Sequence, residues 1–408
     1  MKTFIRRVAL AIALLTVPVA SATAADRAPL ILVSIDGFRP DYLDRGVTPT
    51  LSALADGGAR AAMRPSFPSV TFPNHYTLVT GLRPGQHGVI SNSMFDAGIG
   101  STFSLGRRET VMDRRWWDDA EPIWVTARKQ GLRTATLFWP GSEAPIQGVR
   151  PDEWLPFQQD VPSHARVDMV LGWLTMPPAE RPQFLTLYFD IVDSAGHRHG
   201  PDSPEVNAAV AEVDAAMKRL VDGLAARGLQ GGVNLVIVAD HGMAPVNAGN
   251  VTLIDDLVDP GKMTTLGGGA VIGIMPKAGE EAGVAAALLR PHATMTCWRK
   301  GELPARYGYD HRRTPPIVCM AGEGWSITTR AYAARSRDAD RPVTGAHGYD
   351  PDLPSMAALF VANGPDIRPS VRLESFDNVS VYPLLARLLG VTPLQSEGRA
   401  EDTAAALR

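Results

Sequence analysis

The sequence is poor in cysteine, close to neutral in charge, and free of long apolar runs beyond its N-terminus. Its 408 residues include only two cysteines, Cys297 and Cys319, and neither has a His or Cys neighbour at the spacing of a structural zinc site. The formal net charge of -3 gives no general attraction to nucleic acid or to an anionic membrane. These shortages argue against a zinc finger, specific nucleic-acid binding and a membrane span in the mature chain.

The N-terminal segment has the pattern of an export signal. Basic residues precede an apolar run at 8–20, and small residues at 22–24 form a cleavage pattern. We therefore predict that residues 1–24 are a signal peptide and that the mature chain is periplasmic or secreted, with a membrane-retained N-terminus as the alternative. In an exported chain Cys297 and Cys319 are expected to form a disulfide, and two buried thiols are the alternative.

Apolar runs bounded by polar residues alternate with helical patterns through most of the chain. The predicted strands lie at 30–35, 133–139, 184–189, 234–239 and 357–362. Strands that alternate with helices at this spacing are typical of a mostly parallel sheet with helices on both faces. The sequence therefore predicts the α/β class.

The chain is long enough for two domains or for one large domain with an insertion. The alternation breaks between 251 and 344, where short strand patterns, glycine and proline predominate. We predict a main α/β domain of residues 25–250 and 345–395, a smaller β-rich insertion at 251–344, and a loosely held tail at 396–408.

A proline-rich stretch at 65–75 contains a candidate nucleophile. It has too much proline for a helix interior, so it predicts a rigid loop that leads into a helix capped by Asn74. Ser66, Ser69 and Thr71 carry hydroxyls just ahead of that helix, where free backbone N–H groups face an incoming anion. The alternative is a stiffened surface loop without chemistry.

Carboxylate and imidazole side chains follow several predicted strands and one glycine-rich loop. They are Asp36, Asp190, Asp193, His197, Asp240, His241 and His347. Because the carboxyl ends of parallel strands meet at one edge of a sheet, these groups are expected to converge there. Each alone is more often structural, but mixed oxygen and nitrogen ligands are the set that zinc prefers. With Thr71, the chain has enough ligands for two adjacent zinc ions.

Several motifs, in order along most of the mature chain, resemble those of a known family. They lie at 35–39, 71–75, 80–81, 87–88, 91–96, 138–142, 193–197 and 239–243. They are similar to motifs of the nucleotide pyrophosphatase/phosphodiesterases of the alkaline phosphatase superfamily, especially its exported bacterial members. The resemblance implies an alkaline-phosphatase-like three-layer α/β fold and zinc-dependent hydrolysis of nucleotide phosphodiester or pyrophosphate bonds.

The resemblance also implies a role for each matching residue. One zinc ion would be held by Asp36, Thr71, Asp240 and His241, and the other by Asp193, His197 and His347. Thr71 would be the nucleophile, in preference to the two serines of its loop, and would form a covalent phosphothreonyl ester. Asn92 and the backbone N–H of Phe72 would bind a non-bridging phosphate oxygen.

The substrate is less firmly implied than the chemistry. The sequence has Val70 where the animal enzymes have lysine, and Asp190 is followed by Ile191 rather than a second acidic residue. Residues 141–143 lack the lysine and arginine of the phosphomonoesterase relatives, which favours diesters over monoesters. No sulfatase formylglycine motif lies near Thr71.

Three aromatic residues are candidates for holding a nucleobase. Phe72 with Trp154 and Phe157 would stack on either side of a base and tolerate any base, although Trp154 and Phe157 fit an ordinary core equally well. Small nucleotides that release nucleoside 5'-monophosphates are therefore the expected substrates. One alternative is a related enzyme that acts on choline phosphodiesters, phosphonates or phosphate monoesters. The other is a binding protein that keeps an inactive metal site.

Overall fold

The structure is a computed structural model that describes residues 27–335 and 342–408. The predicted signal peptide at 1–24 lies outside the described residues. Within the described part of the chain, no helix combines the length and apolar character that a membrane crossing requires.

The secondary structure alternates through the first half of the chain and becomes mainly β in the second. The strands are β1 Leu30–Ile35, β2 Ala59–Arg64, β3 Ser93–Asp96, β4 Ser101–Ser104, β5 Thr134–Leu137, β6 Glu153–Leu155, β7 Phe184–Phe189, β8 Asn234–Val238, β9 Ala244–Asn247, β10 Val251–Leu253, β11 Met263–Gly268, β12 Val271–Pro276, β13 Met295–Arg299, β14 Ile317–Ala321, β15 Ser326–Thr328, β16 Val343–Ala346, β17 Ala358–Asn363, β18 Val371–Arg372 and β19 Phe376–Asp377. The helices are α1 Pro49–Asp56, α2 Thr71–Thr80, α3 Pro84–His87, α4 Arg108–Val111, α5 Ile123–Lys129, α6 Ser163–Leu174, α7 Ile191–His199, α8 Pro204–Ala226, α9 Glu281–Leu288, α10 Arg330–Ala333, α11 Val381–Leu389 and α12 Glu401–Ala404.

The central sheet has the strand order β18-β2-β17-β8-β1-β7-β5-β6, with β19 also paired to β2. Strands β8, β1, β7, β5 and β6 are mutually parallel, whereas β17 runs antiparallel to both of its neighbours. Every residue of β1, β7 and β8 is buried, as expected for strands covered on both faces. The predicted α/β class with a mostly parallel sheet is therefore confirmed.

Two groups of helices bury the apolar surface of the sheet. Helix α8 contacts α1, α6 and α7, while α11 contacts α2 and α5. In α8, Ser203 caps the N-terminus through the backbone N–H of Val206, and Pro204 occupies the first turn. Its buried residues recur at helical spacing, which fixes the face that packs on its neighbours.

A second apolar core, with its own small sheets, lies mostly within 251–344. Strands β11-β12-β14-β13 form an antiparallel sheet, β10 pairs with β15, and β16 pairs with β9. The sheet and helix α9 enclose this separate cluster of buried apolar residues. Cys297 and Cys319 stand opposite each other on β13 and β14 and are joined by a disulfide.

The end of the chain is packed, so the expectation of a loosely held tail at 396–408 is wrong. Ala406 is fully buried, and its carbonyl accepts the backbone N–H of Arg368 at 2.8 Å. Glu397 accepts hydrogen bonds from the backbone and side chain of Arg83. Backbone pairing, side-chain hydrogen bonds and ion pairs hold this segment, and such polar contacts leave no apolar pattern in the sequence.

Candidate metal and nucleophile site

The candidate site lies at the carboxyl ends of three adjacent strands. Asp36 follows β1, Asp193 and His197 lie on α7 directly after β7, and Asp240 and His241 follow β8. These strands are parallel neighbours in the order β8-β1-β7, so their ends deliver the side chains to one edge of the sheet. The start of α2 and the loop after β16 bring Thr71 and His347 to the same place.

One group of ligand atoms comes from Asp193, His197 and His347. The two imidazole Nε2 atoms lie 3.0 Å apart, and Asp193 Oδ1 lies 3.5 Å from each of them. These three residues are the ones predicted for one zinc ion, and the structure brings them together.

The other group surrounds the Nε2 atom of His241. Asp240 Oδ2 lies 3.0 Å from it, Asp36 Oδ1 lies 3.5 Å from it, and Thr71 Oγ1 lies 3.4 Å from it. The structure thus places the candidate nucleophile against His241, whose Nε2 atom also lies close to the two carboxylates predicted for the same zinc ion.

The two groups are contiguous. The ligand atoms of Asp36, Asp193 and His241 also lie within 4.8 Å of one another. The rings of His241 and His347 stack with their centroids 3.6 Å apart. This compactness suits two metal ions separated by about 3.5–4 Å, as in two-metal phosphoryl-transfer sites.

Backbone carbonyls fix the orientation of the three candidate histidine ligands. Nδ1 of His197 bonds to the Gly345 carbonyl at 2.9 Å, Nδ1 of His241 to the Gly242 carbonyl at 2.9 Å, and Nδ1 of His347 to the Ser69 carbonyl at 2.8 Å. A carbonyl only accepts, so each Nδ1 carries a proton, and in the neutral ring each Nε2 presents a lone pair. Facing lone pairs repel one another, and a cation among them removes that repulsion.

The carboxylates show the same need for a cation. Asp36 Oδ1, Asp193 Oδ1 and Asp240 Oδ2 are buried without a hydrogen-bond partner among residues 27–335 and 342–408. Burial, with the charges of Asp240 and Asp193, raises the pKa of Asp36. Burial also opposes ionisation of Asp240, but His241 and His75 hold its pKa well below the ordinary value. Unpaired buried carboxylate oxygens beside imidazole lone pairs fit a divalent cation with zinc-like ligand preferences.

Two buried residues support the ligands. His75 bonds Ser34 Oγ through Nε2 at 2.8 Å and the Thr71 carbonyl through Nδ1 at 2.9 Å. Tyr188 donates its hydroxyl to Asp36 Oδ2 at 2.6 Å, and the sequence analysis missed it. Tyr188 lies opposite Ser34 in the parallel register of β7 and β1, a pairing that only the tertiary structure reveals.

Helix α2 begins at Thr71, three residues earlier than predicted, and Asn74 is not its cap. The Asn74 side chain instead accepts the backbone N–H of Ser66 at 2.7 Å and donates to the carbonyls of Pro68 and Val70, each at 2.9 Å. It therefore fastens the loop to the first turn of α2 and holds Thr71 at the helix start. Proline is compatible with this first turn because its missing N–H has no partner there.

Asn92 and Phe72 are paired with each other. The Phe72 backbone N–H donates to Asn92 Oδ1 at 2.9 Å. In this structure the Phe72 N–H is therefore not free to bind a phosphate oxygen alongside Asn92, whereas the sequence analysis predicted that it would. With Oδ1 engaged, Nδ2 is the part of Asn92 left to donate to a phosphate oxygen. The Phe72 ring packs against Phe103 and Trp117, with centroids 5.7 and 5.9 Å away.

The other two candidate aromatic residues differ in their surroundings. Phe157 is 43% exposed and contacts Tyr188, the tyrosine bonded to Asp36, with ring centroids 5.9 Å apart. Trp154 lies in β6, and the Arg150 guanidinium covers its ring at 4.6 Å. An arginine also lies over Phe157, with Arg166 Cζ 5.8 Å from the ring centroid, but Phe157 is the more exposed ring and contacts the tyrosine bonded to Asp36.

The helix that carries Thr71 is also held by a buried histidine whose charge state depends on pH. His87 bonds Thr77 Oγ1 through Nε2 at 3.0 Å, and its Nδ1 accepts the Val89 backbone N–H at 3.1 Å. Burial, aided by the charge of His311, lowers the pKa of His87 to about 3 from 6.5. The folded protein therefore excludes a proton that the unfolded chain binds below about pH 6.5.

Stability from this histidine should be present above pH 6.5 and lost as the pH falls towards 3. By pH 5 the loss is expected to be about 2 kcal/mol, because the unfolded chain is then protonated and the folded protein is not. Urea unfolding at pH 7 and pH 5 measures it. His87→Gln should lower the free energy of unfolding at pH 7. It should also reduce the difference in unfolding free energy between pH 7 and pH 5 by about 2 kcal/mol. An unchanged difference would contradict the depressed pKa.

Comparisons with known proteins agree with this geometry over nearly the whole chain. The type I phosphodiesterase/nucleotide pyrophosphatase family matches residues 30–350. An uncharacterised pyrophosphatase/phosphodiesterase of Schizosaccharomyces pombe is 34% identical over 384 residues, which cover 91% of this chain and 79% of that protein. A bis(5'-adenosyl)-triphosphatase of Xenopus laevis is 35% identical over 377 residues, 92% of this chain and 80% of that protein.

A solved structure extends the agreement to the fold. The structure of murine ectonucleotide pyrophosphatase/phosphodiesterase 5, inactive and in complex with AMP, is 32% identical and has a TM-score of 0.88. The match covers 93% of this chain and 100% of that chain, and it agrees with the alkaline-phosphatase-like fold that the sequence motifs imply. The chain therefore belongs to the type I phosphodiesterase/nucleotide pyrophosphatase family and is an enzyme of that class.

Proposed function

We propose that the chain is a zinc-dependent phosphodiesterase that cleaves phosphodiester or pyrophosphate bonds in nucleotides and releases nucleoside 5'-monophosphates. One observation carries this proposal. Three buried carboxylate oxygens that lack hydrogen-bond partners among the described residues converge with three histidine Nε2 atoms, and the Thr71 hydroxyl contacts one of these histidines, His241. A hydroxyl in such surroundings suits nucleophilic attack on phosphorus.

Two groups of residues would hold the zinc ions. Asp36, Thr71, Asp240 and His241 would hold one ion, and Asp193, His197 and His347 would hold the other. Bound zinc would lower the pKa of the nucleophilic hydroxyl and neutralise charge on the attacking and departing oxygens. Both groups mix oxygen and nitrogen ligands, which supports zinc over magnesium or calcium.

Thr71 is proposed to act as the nucleophile. Its hydroxyl proton passes to solvent, and its oxygen forms a bond to phosphorus in line with the leaving group, which departs with the electron pair of its broken bond to phosphorus. Water then cleaves the phosphothreonyl ester, which releases the nucleoside 5'-monophosphate and restores the hydroxyl. The position of Thr71 at the start of α2 supports this role, since the positive end of the helix dipole favours an anion there.

Asn92 is proposed to bind a non-bridging phosphate oxygen through Nδ2. Its Oδ1 is held by the Phe72 backbone N–H at 2.9 Å, which orients the amide before substrate binds. A preoriented donor of this kind is worth about 3 kcal/mol in other enzymes, because it stabilises charge that develops in the transition state.

Nucleotides are the proposed substrates. The relative from Xenopus laevis is a bis(5'-adenosyl)-triphosphatase, and the murine structure contains AMP. The exposed ring of Phe157 near Asp36 supports base stacking in this chain. Rates with nitrophenyl esters of thymidine 5'-monophosphate, phosphorylcholine and phosphate on the zinc-loaded protein test the proposal. Faster cleavage of the phosphorylcholine ester or of nitrophenyl phosphate would replace it with the corresponding alternative.

Phe157→Ala is expected to raise KM for the thymidine ester about tenfold, because stacking on an aromatic ring contributes roughly 1–3 kcal/mol per base. The phosphorylcholine ester has no base and should show little change. Tyr332→Ala removes another exposed aromatic ring and serves as the control. An equal rise in KM for both esters would argue against base stacking on Phe157.

Export is proposed on the sequence pattern alone. Basic residues, an apolar run at 8–20 and small residues at 22–24 form the signal. Mass spectrometry of the protein recovered from the periplasm or the medium should give a mature chain that starts near residue 25. Recovery of an uncleaved chain in the cytoplasm would contradict the proposal.

A further inference from the structure

The loop that carries Asn92 is held by a short segment of the β-rich region, residues 308–313, which we call the clamp. At one end of the loop, the Gly85 backbone N–H donates to the Gly308 carbonyl at 2.9 Å. Further along, the Tyr309 hydroxyl donates to the Ile90 carbonyl at 2.9 Å, two residues before Asn92. These bonds join segments that are more than two hundred residues apart in sequence.

Arg313 makes the strongest contacts of the clamp. Its Nε donates to Asp96 Oδ2 at 2.6 Å, and its Nη1 donates to the Gly88 carbonyl at 2.8 Å. Gly88 has a φ of +75°, and a Cβ there would lie 3.0 Å from Arg313 Nη1, so this approach requires glycine. Gly88 and Ile90 precede Asn92 and Asp96 follows it, so the clamp holds the loop on both sides of the amide.

The same guanidinium also bonds to the segment at 115–117, which packs against the ring of Phe72. Arg313 Nη1 donates to the Trp116 carbonyl at 2.8 Å, and Nη2 donates to the Arg115 carbonyl at 2.9 Å. The ring of the next residue, Trp117, contacts Phe72. Since the Phe72 N–H orients the Asn92 amide, Arg313 joins the two segments whose relative position sets that hydrogen bond.

The buried guanidinium of Arg313 makes four hydrogen bonds and a further ion pair. The side chain of Arg313 is 0% exposed, and Asp119 lies 3.3 Å from Nη2 in addition to the four hydrogen-bond acceptors. A buried charge requires such pairing. The planar fork of five N–H groups fixes both distance and angle, which a lysine ammonium does not reproduce.

We propose that Arg313 and Tyr309 are positioning residues that set the geometry of Asn92 for the phosphate in the transition state. The β-rich region thereby takes part in catalysis at a distance, through the loop at 85–96. The inference rests on the proposed role of Asn92. Because a displacement of about 1 Å costs up to roughly 100-fold in rate, loosening the clamp should lower kcat rather than raise KM.

A double-mutant cycle with Asn92→Ala tests the inference, with kcat measured on the nitrophenyl ester of thymidine 5'-monophosphate and the zinc-loaded protein. Arg313→Lys should lower kcat by roughly 10- to 100-fold. Tyr309→Phe removes one hydroxyl at constant shape and should lower kcat about fivefold. In the Asn92→Ala background each change should cost less than about twofold, since the group that they position is gone.

Tyr382→Phe is the matched control, because the buried Tyr382 hydroxyl also makes one hydrogen bond, to the Leu394 backbone N–H at 2.9 Å. It should lower the melting temperature about as much as Tyr309→Phe and leave kcat unchanged. The inference fails if Arg313→Lys and Tyr309→Phe lower kcat by the same factor with and without Asn92, or if both folded variants keep native kcat. Native kcat in Asn92→Ala alone would instead overturn the proposed role of Asn92.

Discussion

Replacement of Thr71 by alanine is expected to lower kcat by about 10,000-fold or more, as removal of a nucleophile does in other enzymes that form covalent intermediates. Thr71 Oγ1 lies 3.4 Å from His241 Nε2, at the centre of the candidate ligands. Asp36, Asp240 and His241 remain in the variant, so most of the bound zinc should remain as well. Turnover on the nitrophenyl ester of thymidine 5'-monophosphate and zinc content by atomic emission measure the two effects separately.

The two serines of the same loop provide matched controls. Ser66 Oγ donates to Asn378 Oδ1 at 2.9 Å, and Ser69 Oγ donates to the Tyr349 carbonyl at 3.0 Å, so both hydroxyls are buried in structural bonds. Ser66→Ala and Ser69→Ala should lose stability and keep most of their kcat. Turnover near the native value in Thr71→Ala, with either serine variant inactive, would reassign the nucleophile.

Loss of a carboxylate ligand should have the next largest effect. Asp193 Oδ1 lies 3.5 Å from the Nε2 atoms of His197 and His347, and it is buried with no hydrogen-bond partner among the described residues. Asp193→Asn is therefore expected to retain one zinc ion where the native protein retains two. It should also lower kcat by at least about 100-fold, the upper range for residues that only support metal ligands.

Asp190 supplies the control, since it follows the same strand three residues earlier. Its carboxylate lies 2.8 Å from the guanidinium of Arg166 and belongs to neither of the two candidate ligand groups found among the described residues. Asp190→Asn should lose stability, because it leaves a buried arginine without its charge partner, but it should keep both zinc ions. Equal zinc content in Asp193→Asn and the native protein would contradict the assignment of Asp193 as a ligand.

The strand ends were predictable because they depend on local pattern and on a general rule of topology. Buried parallel strands leave continuous apolar runs, and the acidic residue that ends each run must lie at the common carboxyl edge. Asp36 and Asp240 follow this logic, and β8, β1 and β7 are adjacent in the sheet. At the end of β7 the same logic selects Asp190, which pairs with Arg166, while the candidate ligand Asp193 lies on the next helix. His347 was harder to place, since it follows a short strand outside the central sheet and the motif resemblance assigned it.

The start of α2 was misplaced for a physical reason. Asparagine before an apolar run normally indicates a helix cap, and proline normally indicates a loop. Here Pro73 fits the first turn, while Asn74 bonds backward to Ser66, Pro68 and Val70. Only the tertiary position of the preceding loop makes these bonds available to the amide.

The sequence by itself determined the α/β class and the edge of the sheet at which the candidate ligands meet, because both depend on residue type and on spacing along the chain. The candidate ligand set and Thr71 came from the resemblance of its motifs to a family. Tertiary structure alone decided that Tyr188 supports Asp36, that Asn92 is oriented by Phe72, and that Arg313 holds the loop between them. These are contacts between segments far apart in sequence, and a single hydrogen bond of that kind leaves no periodic pattern by which it can be recognised.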